Sequence, residues 1–167
     1  MTELDHLSSR TSRRFVWTCF ILALLLDLIP LPAKEFFWLP EISALMLLYW
    51  LLHRPDMVNL GTAFLVGLLL DIGSSSPLGQ HAMAYTISGF FVLQQQRQAS
   101  QYDSGLQALI VLAALLCNQI VMILVRLFHD QLFIGWLYLV PPFLGALLWP
   151  LFNKVMVQVL NIRRQRR

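Results

Sequence analysis

Four ionisable residues lie within or beside long apolar segments of this sequence, where they could carry chemistry. Asp27, Asp71 and Arg126 lie inside such segments, and His81 lies at the start of another. A charge at the centre of a membrane-spanning helix costs about 2.5–3.5 kcal/mol on insertion scales, so such a group normally faces protein or water. Two acids, a histidine and an arginine can form ion pairs or bind a polar ligand. We therefore predict that these four residues form one polar cluster.

Within this cluster we expect Arg126 to neutralise one acid, and Asp71 is the preferred partner. Gly67, one turn before Asp71, would allow another helix to approach closely. Glu41 and Gln80 are expected in the same layer of the protein. The alternative interpretation is that such side chains extend to the lipid head groups and have no specific role. That alternative stays open for Glu41 and Asp71.

The sequence lacks the motifs of known catalytic sites. It has no paired-histidine metal spacing, no Gly-x-Ser-x-Gly turn and no Gly-Lys-Ser/Thr phosphate loop. His81 and Ser88 are seven residues apart and could share a helix face, but no third group is available to orient them. The basic residues stand at the ends of apolar segments, which argues against nucleic-acid binding. We predict a protein that is not an enzyme and that uses no metal or cofactor.

The elements that must position these residues are apolar helices. Hydrophobic residues make up 57% of the 167 residues and charged residues 13%, against about 25% charged in soluble domains, and the mean hydropathy is +0.65. Runs long enough to cross about 30 Å of hydrocarbon recur along the chain. We predict an all-α, polytopic membrane protein with a single transmembrane domain over residues 1–167, folded as a six-helix bundle. The predicted spans are roughly 15–33, 36–53, 57–73, 78–95, 105–128 and 132–160.

Lysine and arginine predict the orientation of this bundle. With six spans, most basic residues fall on one side of the membrane: Arg10, Arg13, Arg14, Arg54, Arg97, Lys154, Arg163, Arg164, Arg166 and Arg167. Only Lys34 and Arg126 fall towards the other side. Because cytoplasmic loops carry the excess of lysine and arginine, we expect both termini in the cytoplasm. The predicted polar cluster then lies in the outer half of the membrane.

Small residues predict where helices touch. Ala63 and Gly67 are four residues apart on the third span, and Ala84 and Ser88 are four apart on the fourth. Such pairs allow close crossings, either within the bundle or with a transmembrane helix of another protein. The sequence leaves both uses open.

Tryptophan and proline predict the ends and the shape of the spans. Five tryptophans near span ends are expected to anchor helices at the membrane interfaces: Trp17, Trp38, Trp50, Trp136 and Trp149. Pro141 and Pro142 remove two backbone donors, so we expect them to kink the last span or break it in two.

Several segments also carry a family resemblance. They are Leu47-Leu48-Tyr49-Trp50, Arg54-Pro55, the stretch from Gly61 to Asp71, Pro77-Leu78-Gly79 and Leu148-Trp149-Pro150. Together they resemble MreD, the rod shape-determining membrane protein of bacteria. The resemblance implies a place in the bacterial cytoplasmic (inner) membrane and a fold similar to the six-helix substrate-binding components of energy-coupling vitamin transporters. The family has no established catalytic residues, so the resemblance assigns none.

The resemblance implies partners as well. The expected direct partner is MreC, a single-span protein with a large periplasmic domain, with indirect links to the MreB filament, the polymerase RodA and its penicillin-binding transpeptidase. One hypothesis is therefore a non-enzymatic membrane scaffold that docks MreC and links the cytoskeleton to peptidoglycan synthesis, which maintains rod shape. The alternative is a small-molecule or lipid-binding membrane module with an outward-facing polar pocket. Membrane lipid surrounds the protein under either hypothesis.

Overall fold

The structure is a computed structural model that describes residues 12–29, 38–99, 104–130 and 136–165. Over those ranges the chain is helical, which confirms the all-α part of the fold prediction. The helices are α1 (Arg13–Asp27), α2 (Ile42–His53), α3 (Leu60–Ser74), α4 (Gln80–Ala99), α5 (Ser104–Asp130) and α6 (Val140–Gln165), and a 3₁₀ helix (Trp136–Leu139) leads directly into α6. The main packing contacts join α1 to α2, α2 to α4, α3 to α4, α4 to α5 and α5 to α6.

Helix α2 lies at the centre of this arrangement. Every residue from Ser43 to Leu52 is buried, so apolar side chains surround the helix axis on all sides. A helix that is apolar around its whole circumference is stable only where it is covered on all sides. The contacts of α2 with α1, α4 and α6 provide that cover.

Helix α1 shows the opposite pattern, with one buried face. Val16, Cys19, Phe20 and Ala23 are buried at positions i, i+3, i+4 and i+7, the spacing of a single helix face. The other face exposes apolar residues, among them Leu22.

The turn between α2 and α3 is held by local hydrogen bonds. The Asn59 side chain accepts a hydrogen bond from the Thr62 amide at 3.1 Å, and the Thr62 hydroxyl accepts one from the Asn59 amide at 3.5 Å, which forms a capping box at the start of α3. Arg54 donates from Nε and Nη2 to the two carboxylate oxygens of Asp56, each at 2.9 Å. These hydrogen bonds hold the pKa of the Asp56 carboxyl below its ordinary value.

Helices α3 and α4 approach each other most closely at Gly67. A Cβ atom built on Gly67 would lie 2.5 Å from the backbone oxygen of His81 and 2.6 Å from the Cα of Ala82. Those atoms belong to the backbone of α4, so a side chain at this position would push the two helices apart. This contact brings the last turn of α3 beside the first turn of α4.

The predicted small-residue positions pack inside the chain. Ala63 and Gly67 are buried on α3, and Ala84 and Ser88 are buried on α4. The Ser88 hydroxyl donates to the backbone oxygen of Tyr85 in its own helix at 3.3 Å. The sequence left open whether these faces serve the bundle or a partner; in this structure they are covered by the bundle itself.

Two predicted features need correction, one in the last span and one in the first two. Pro141 and Pro142 do not break α6 in two, because they lie in its first turn, where a missing backbone donor costs little. Pro150 is the proline inside the helix. The first two helices are also shorter than predicted: α1 ends at Asp27 and α2 begins at Ile42, while residues 30–37, which include the ends of those two predicted spans, lie outside the described ranges.

Two of the five tryptophans were wrongly predicted to be interfacial. Trp50 is 1% exposed and Trp149 is 0% exposed, and both pack beside the ring of Tyr49. Trp17 and Trp38, at 43% and 41% exposure, are available to an interface as predicted. The side chain of Trp136 lies outside the described part of the chain.

Among the described residues, two helices are long and apolar enough to cross a membrane by length and composition, Gly105–His129 within α5 and Val140–Ile162 within α6. Only about a third of each is buried in the protein. Their exposed faces stay apolar, as at Leu109, Phe128 and Leu147. Large exposed apolar surfaces mark contact with another apolar medium or partner.

Candidate functional site

The carboxylate of Asp71 lies at the start of α4, which packs against the helix that carries Asp71. Its oxygens accept hydrogen bonds from the backbone amides of Gly79 at 2.9 Å, His81 at 2.9 Å and Ala82 at 3.3 Å. The first amides of a helix have no partner within the helix, and its positive end favours an anion. Asp71 therefore acts as a cap for α4, supplied from α3.

Gly79 makes this cap possible. Its φ is +96°, a conformation that suits glycine because it has no Cβ. The turn at Gly79 directs its amide, and those of the first residues of α4, towards Asp71.

Asp27 has the same relation to α2. Its Oδ1 accepts from the amide of Ile42 at 2.9 Å, and its Oδ2 accepts from the amide of Ser43 at 2.8 Å. Glu41, the residue that precedes α2, makes no side-chain cap of its own. The carboxylate of Glu41 is therefore available for other contacts.

Histidine 81 connects Asp71 to Glu41. Its Nδ1 lies 2.8 Å from Oδ1 of Asp71, and its Nε2 lies 3.4 Å from Oε1 of Glu41. The other carboxylate oxygen of Glu41 accepts from the hydroxyl of Tyr85 at 2.8 Å, and that hydroxyl is 2.7 Å from the hydroxyl of Ser43. A continuous polar network thus joins α3, α4 and α2.

Arg126 does not form the predicted pair with Asp71. Its Nε donates to Oε1 of Gln80 at 3.1 Å, and its guanidinium carbon lies 5.1 Å from the centre of the Tyr138 ring. The pairing prediction is wrong because the amides of α4 and His81 occupy the Asp71 carboxylate. Arg126 nevertheless stays at the same end of the bundle, since Gln80 immediately precedes His81.

A cavity of about 1000 Å³ lies against this network. Its polar lining is formed by Asp27, Glu41, His81, Asn118, Gln119 and Tyr138. The remainder of the lining is mainly apolar and includes Leu148, Leu151 and Phe152 of α6. Sites for small molecules commonly have this character, a mostly apolar cavity with a few polar groups, and volumes of about 300–1,000 Å³.

Asn118, a residue of the cavity wall, carries a buried polar atom for which the described residues provide no partner. Asn118 is 4% exposed, and its Oδ1 is buried without a hydrogen bond in the described residues. Nε2 of the fully buried Gln80 is in the same situation. An unsatisfied buried polar group costs about 1–3 kcal/mol, so such groups in a native protein call for an explanation.

The contacts of the four predicted cluster residues differ from those expected from the sequence. Asp71 and His81 touch, Asp27 stands one helix away at the same cavity, and Arg126 joins through Gln80. Sequence reasoning missed Tyr85, Asn118 and Tyr138. The pair Asn118-Gln119, two carboxamides inside an apolar run, was the available signal for α5.

The geometry favours binding and positioning over catalysis. Among the described residues, no group of three His, Cys, Asp or Glu side chains is arranged to hold a metal ion. The hydroxyl of Ser88 is bonded within its own helix and does not contact His81. The cluster can cap two helices, connect α2, α3 and α4 through hydrogen bonds, and present acceptor groups to the cavity.

Fold and site together define a small, all-helical protein with an apolar exterior and internal polar caps, the class of a helical membrane protein. The family model for "rod shape-determining protein MreD" matches residues 8–159. The rod shape-determining protein MreD of Haemophilus influenzae is 30% identical over 131 residues, which are 78% of this chain and 81% of that protein. No solved structure matches the chain. The chain belongs to the MreD family, whose members are structural proteins that determine rod shape.

Proposed function

We propose that this protein is a non-enzymatic scaffold of the cell-elongation machinery, which docks MreC in the inner membrane. Through MreC it would link the MreB cytoskeleton to peptidoglycan synthesis by RodA and its penicillin-binding transpeptidase. Membership of a rod shape-determining family is the observation that carries this proposal. The site supports it, because the carboxylates of Asp27 and Asp71 are engaged in capping helices and not in a reactive arrangement.

The proposed topology has six spans with both termini in the cytoplasm. Exposed apolar side chains on α1, α3, α5 and α6 support contact with lipid: Leu22, Leu69, Leu109 and Leu147 are each more than half exposed. Helix α2 has only 12 residues, fewer than the roughly 20 that a lipid-facing span needs. It is covered by protein, so its length need not match the hydrocarbon thickness. The similarity to energy-coupling transporter components remains a prediction.

The decisive experiment combines depletion with crosslinking in a rod-shaped bacterium. Cells depleted of the protein should become round, and the chain supplied in trans should restore rods. A photoreactive amino acid at Leu22, Leu69, Leu109 or Leu147 then tests one exposed helix face at a time for contact with MreC. Leu47, 1% exposed, is the control position, since a residue inside the bundle cannot reach a partner. Unchanged shape, or no MreC adduct from any face, would refute the scaffold function.

The second candidate function is a membrane module that binds a small molecule or lipid in a polar pocket. One observation favours it, the cavity whose lining includes the partly exposed carboxylate of Glu41. The two functions are compatible, because a scaffold can also hold a ligand. Native mass spectrometry of the purified protein tests for a stoichiometric ligand, and an empty protein in several lipids would refute this candidate.

A further inference from the structure

The cavity has a polar part and an apolar part. Glu41, His81 and Asn118 belong to the polar part, at the starts of α2 and α4 and midway along α5. Leu148, Leu151, Phe152 and Val155 continue along α6 with apolar side chains. A ligand that fits both parts carries a polar head and a hydrocarbon chain.

The lining residues also show where the cavity opens. Helices α1 and α6 both contribute to its wall, yet they are not among the helix pairs that pack extensively against each other. Leu26 and Ile29 on the α1 side, and Leu151 and Val155 on the α6 side, are about half exposed while they line the cavity. Among the described residues of the lining, these exposed apolar side chains mark a lateral seam between the end of α1 and α6.

The polar part of the cavity is rich in acceptors. Asp27 and Glu41 are carboxylates, whereas the unpartnered oxygen of Asn118 is buried behind the wall. Asp27 already accepts two amide hydrogen bonds, whereas Oε1 of Glu41 has only the 3.4 Å contact with His81. A head group that donates hydrogen bonds complements Glu41, and a positive charge on it would offset the carboxylates.

We infer that this cavity binds one membrane phospholipid whose head group donates hydrogen bonds, entering through the seam between α1 and α6. The chemistry is that of a primary ammonium, as in phosphatidylethanolamine, placed at the carboxylate of Glu41. The acyl chain lies along the apolar wall of α6. A transmembrane helix in the same seam would leave the partly exposed carboxylate of Glu41 facing apolar side chains, which is why the lipid is the better occupant. This inference rests on the second candidate function.

The test compares two lipids with the same acyl chains, one with an ammonium head group that can donate hydrogen bonds and one with a trimethylammonium head group that cannot. The full-length protein is purified in detergent, delipidated, and reconstituted with phosphatidylethanolamine or with phosphatidylcholine of the same acyl chains. Native mass spectrometry should retain one phosphatidylethanolamine per chain, with about tenfold preference, because the quaternary ammonium of phosphatidylcholine has no N–H to donate. Equal retention of the two lipids would overturn the proposed head-group chemistry.

Matched variants locate the bound lipid. Leu151→Trp narrows the seam and should abolish retention, whereas Leu147→Trp, one turn away on α6 and outside the cavity lining, should retain the lipid as the unchanged protein does. Glu41→Gln removes the negative charge at the head-group position and should weaken the head-group preference. Equal loss in both tryptophan variants would place the lipid elsewhere and overturn the inference.

Other results distinguish this inference from the second candidate function, on which it rests. A water-soluble ligand found in the cavity would overturn the lipid and leave the second candidate function standing. A protein that binds nothing in either lipid would refute both. The scaffold function is judged separately, by cell shape and by the MreC adduct.

Discussion

The carboxylate of Asp27, the last residue of α1, accepts a hydrogen bond from the backbone amide of Ser43 in the first turn of α2, at 2.8 Å. Asp71 repeats the arrangement between α3 and α4 through the amide of His81. In both cases an acid on one helix caps another helix in the same bundle. Where water is scarce, the first amides of a helix need such a partner, since each unsatisfied group costs free energy.

This arrangement predicts a graded loss of stability at Asp27. Asp27→Leu leaves the amides of Ile42 and Ser43 without acceptors and should reduce the free energy of unfolding by about 1–3 kcal/mol. Asp27→Asn keeps one acceptor oxygen and should cost less. The measurement is chemical or thermal unfolding of the purified protein in detergent. Gln158→Leu, at an exposed position of α6, is the control, and an Asp27→Leu protein as stable as this control would contradict the capping role.

The contact at Gly67 predicts that even the smallest substitution is harmful. Gly67→Ala places a Cβ against the backbone of His81 and Ala82, and overpacking of this kind typically costs about 1–3 kcal/mol. The control is Gly105→Ala, because a Cβ at Gly105 meets nothing within 4 Å. Thermal unfolding midpoints of the two variants give the comparison. Equal midpoints would mean that α3 and α4 do not approach as closely as described.

The position of Arg126 predicts which residue pairs are coupled. Exchange of charges in an Asp71→Arg, Arg126→Asp double variant should give no rescue, because the two side chains do not bind each other. Gln80→Leu and Arg126→Gln should instead be non-additive, with a coupling of about 0.5–3 kcal/mol, since these residues share the 3.1 Å hydrogen bond. A double-mutant cycle of unfolding free energies measures both. If the charge exchange restored stability, this result would contradict the structure and support the Asp71–Arg126 ion pair expected from the sequence.

The sequence was sufficient to predict that buried acids, His81 and Arg126 gather at one end of a helical bundle. The apolar runs and the cost of charge in an apolar medium determine that much. The roles of the acids were not predictable, because capping depends on which helix start lies opposite each carboxylate, and that follows from three-dimensional packing at positions such as Gly67. A polar pocket was one alternative from the sequence, but its lining was not predictable for the same reason, since the wall combines residues from α1 to α6.

Tryptophan 50 shows a second limit of sequence patterns and supplies a further prediction. Its position near the end of an apolar segment suits an interface, yet α2 is covered by other helices and the indole is buried against Phe15 and Tyr49. Trp50→Ala should therefore cost about 3–5 kcal/mol of unfolding free energy, as a large core deletion does. Trp17→Ala, at an exposed position, should change stability by only about 0.5 kcal/mol or less.

Fluorescence quenching checks the same point without relying on stability. In proteins that keep a single tryptophan, with the other four replaced by phenylalanine, brominated acyl chains should quench Trp17 strongly, because its ring faces outward. They should quench Trp50 weakly, because the surrounding helices keep lipid away from a side chain that is 1% exposed. Equal quenching of the two would place Trp50 at the lipid surface, and α2 would then be a peripheral helix and not the central one.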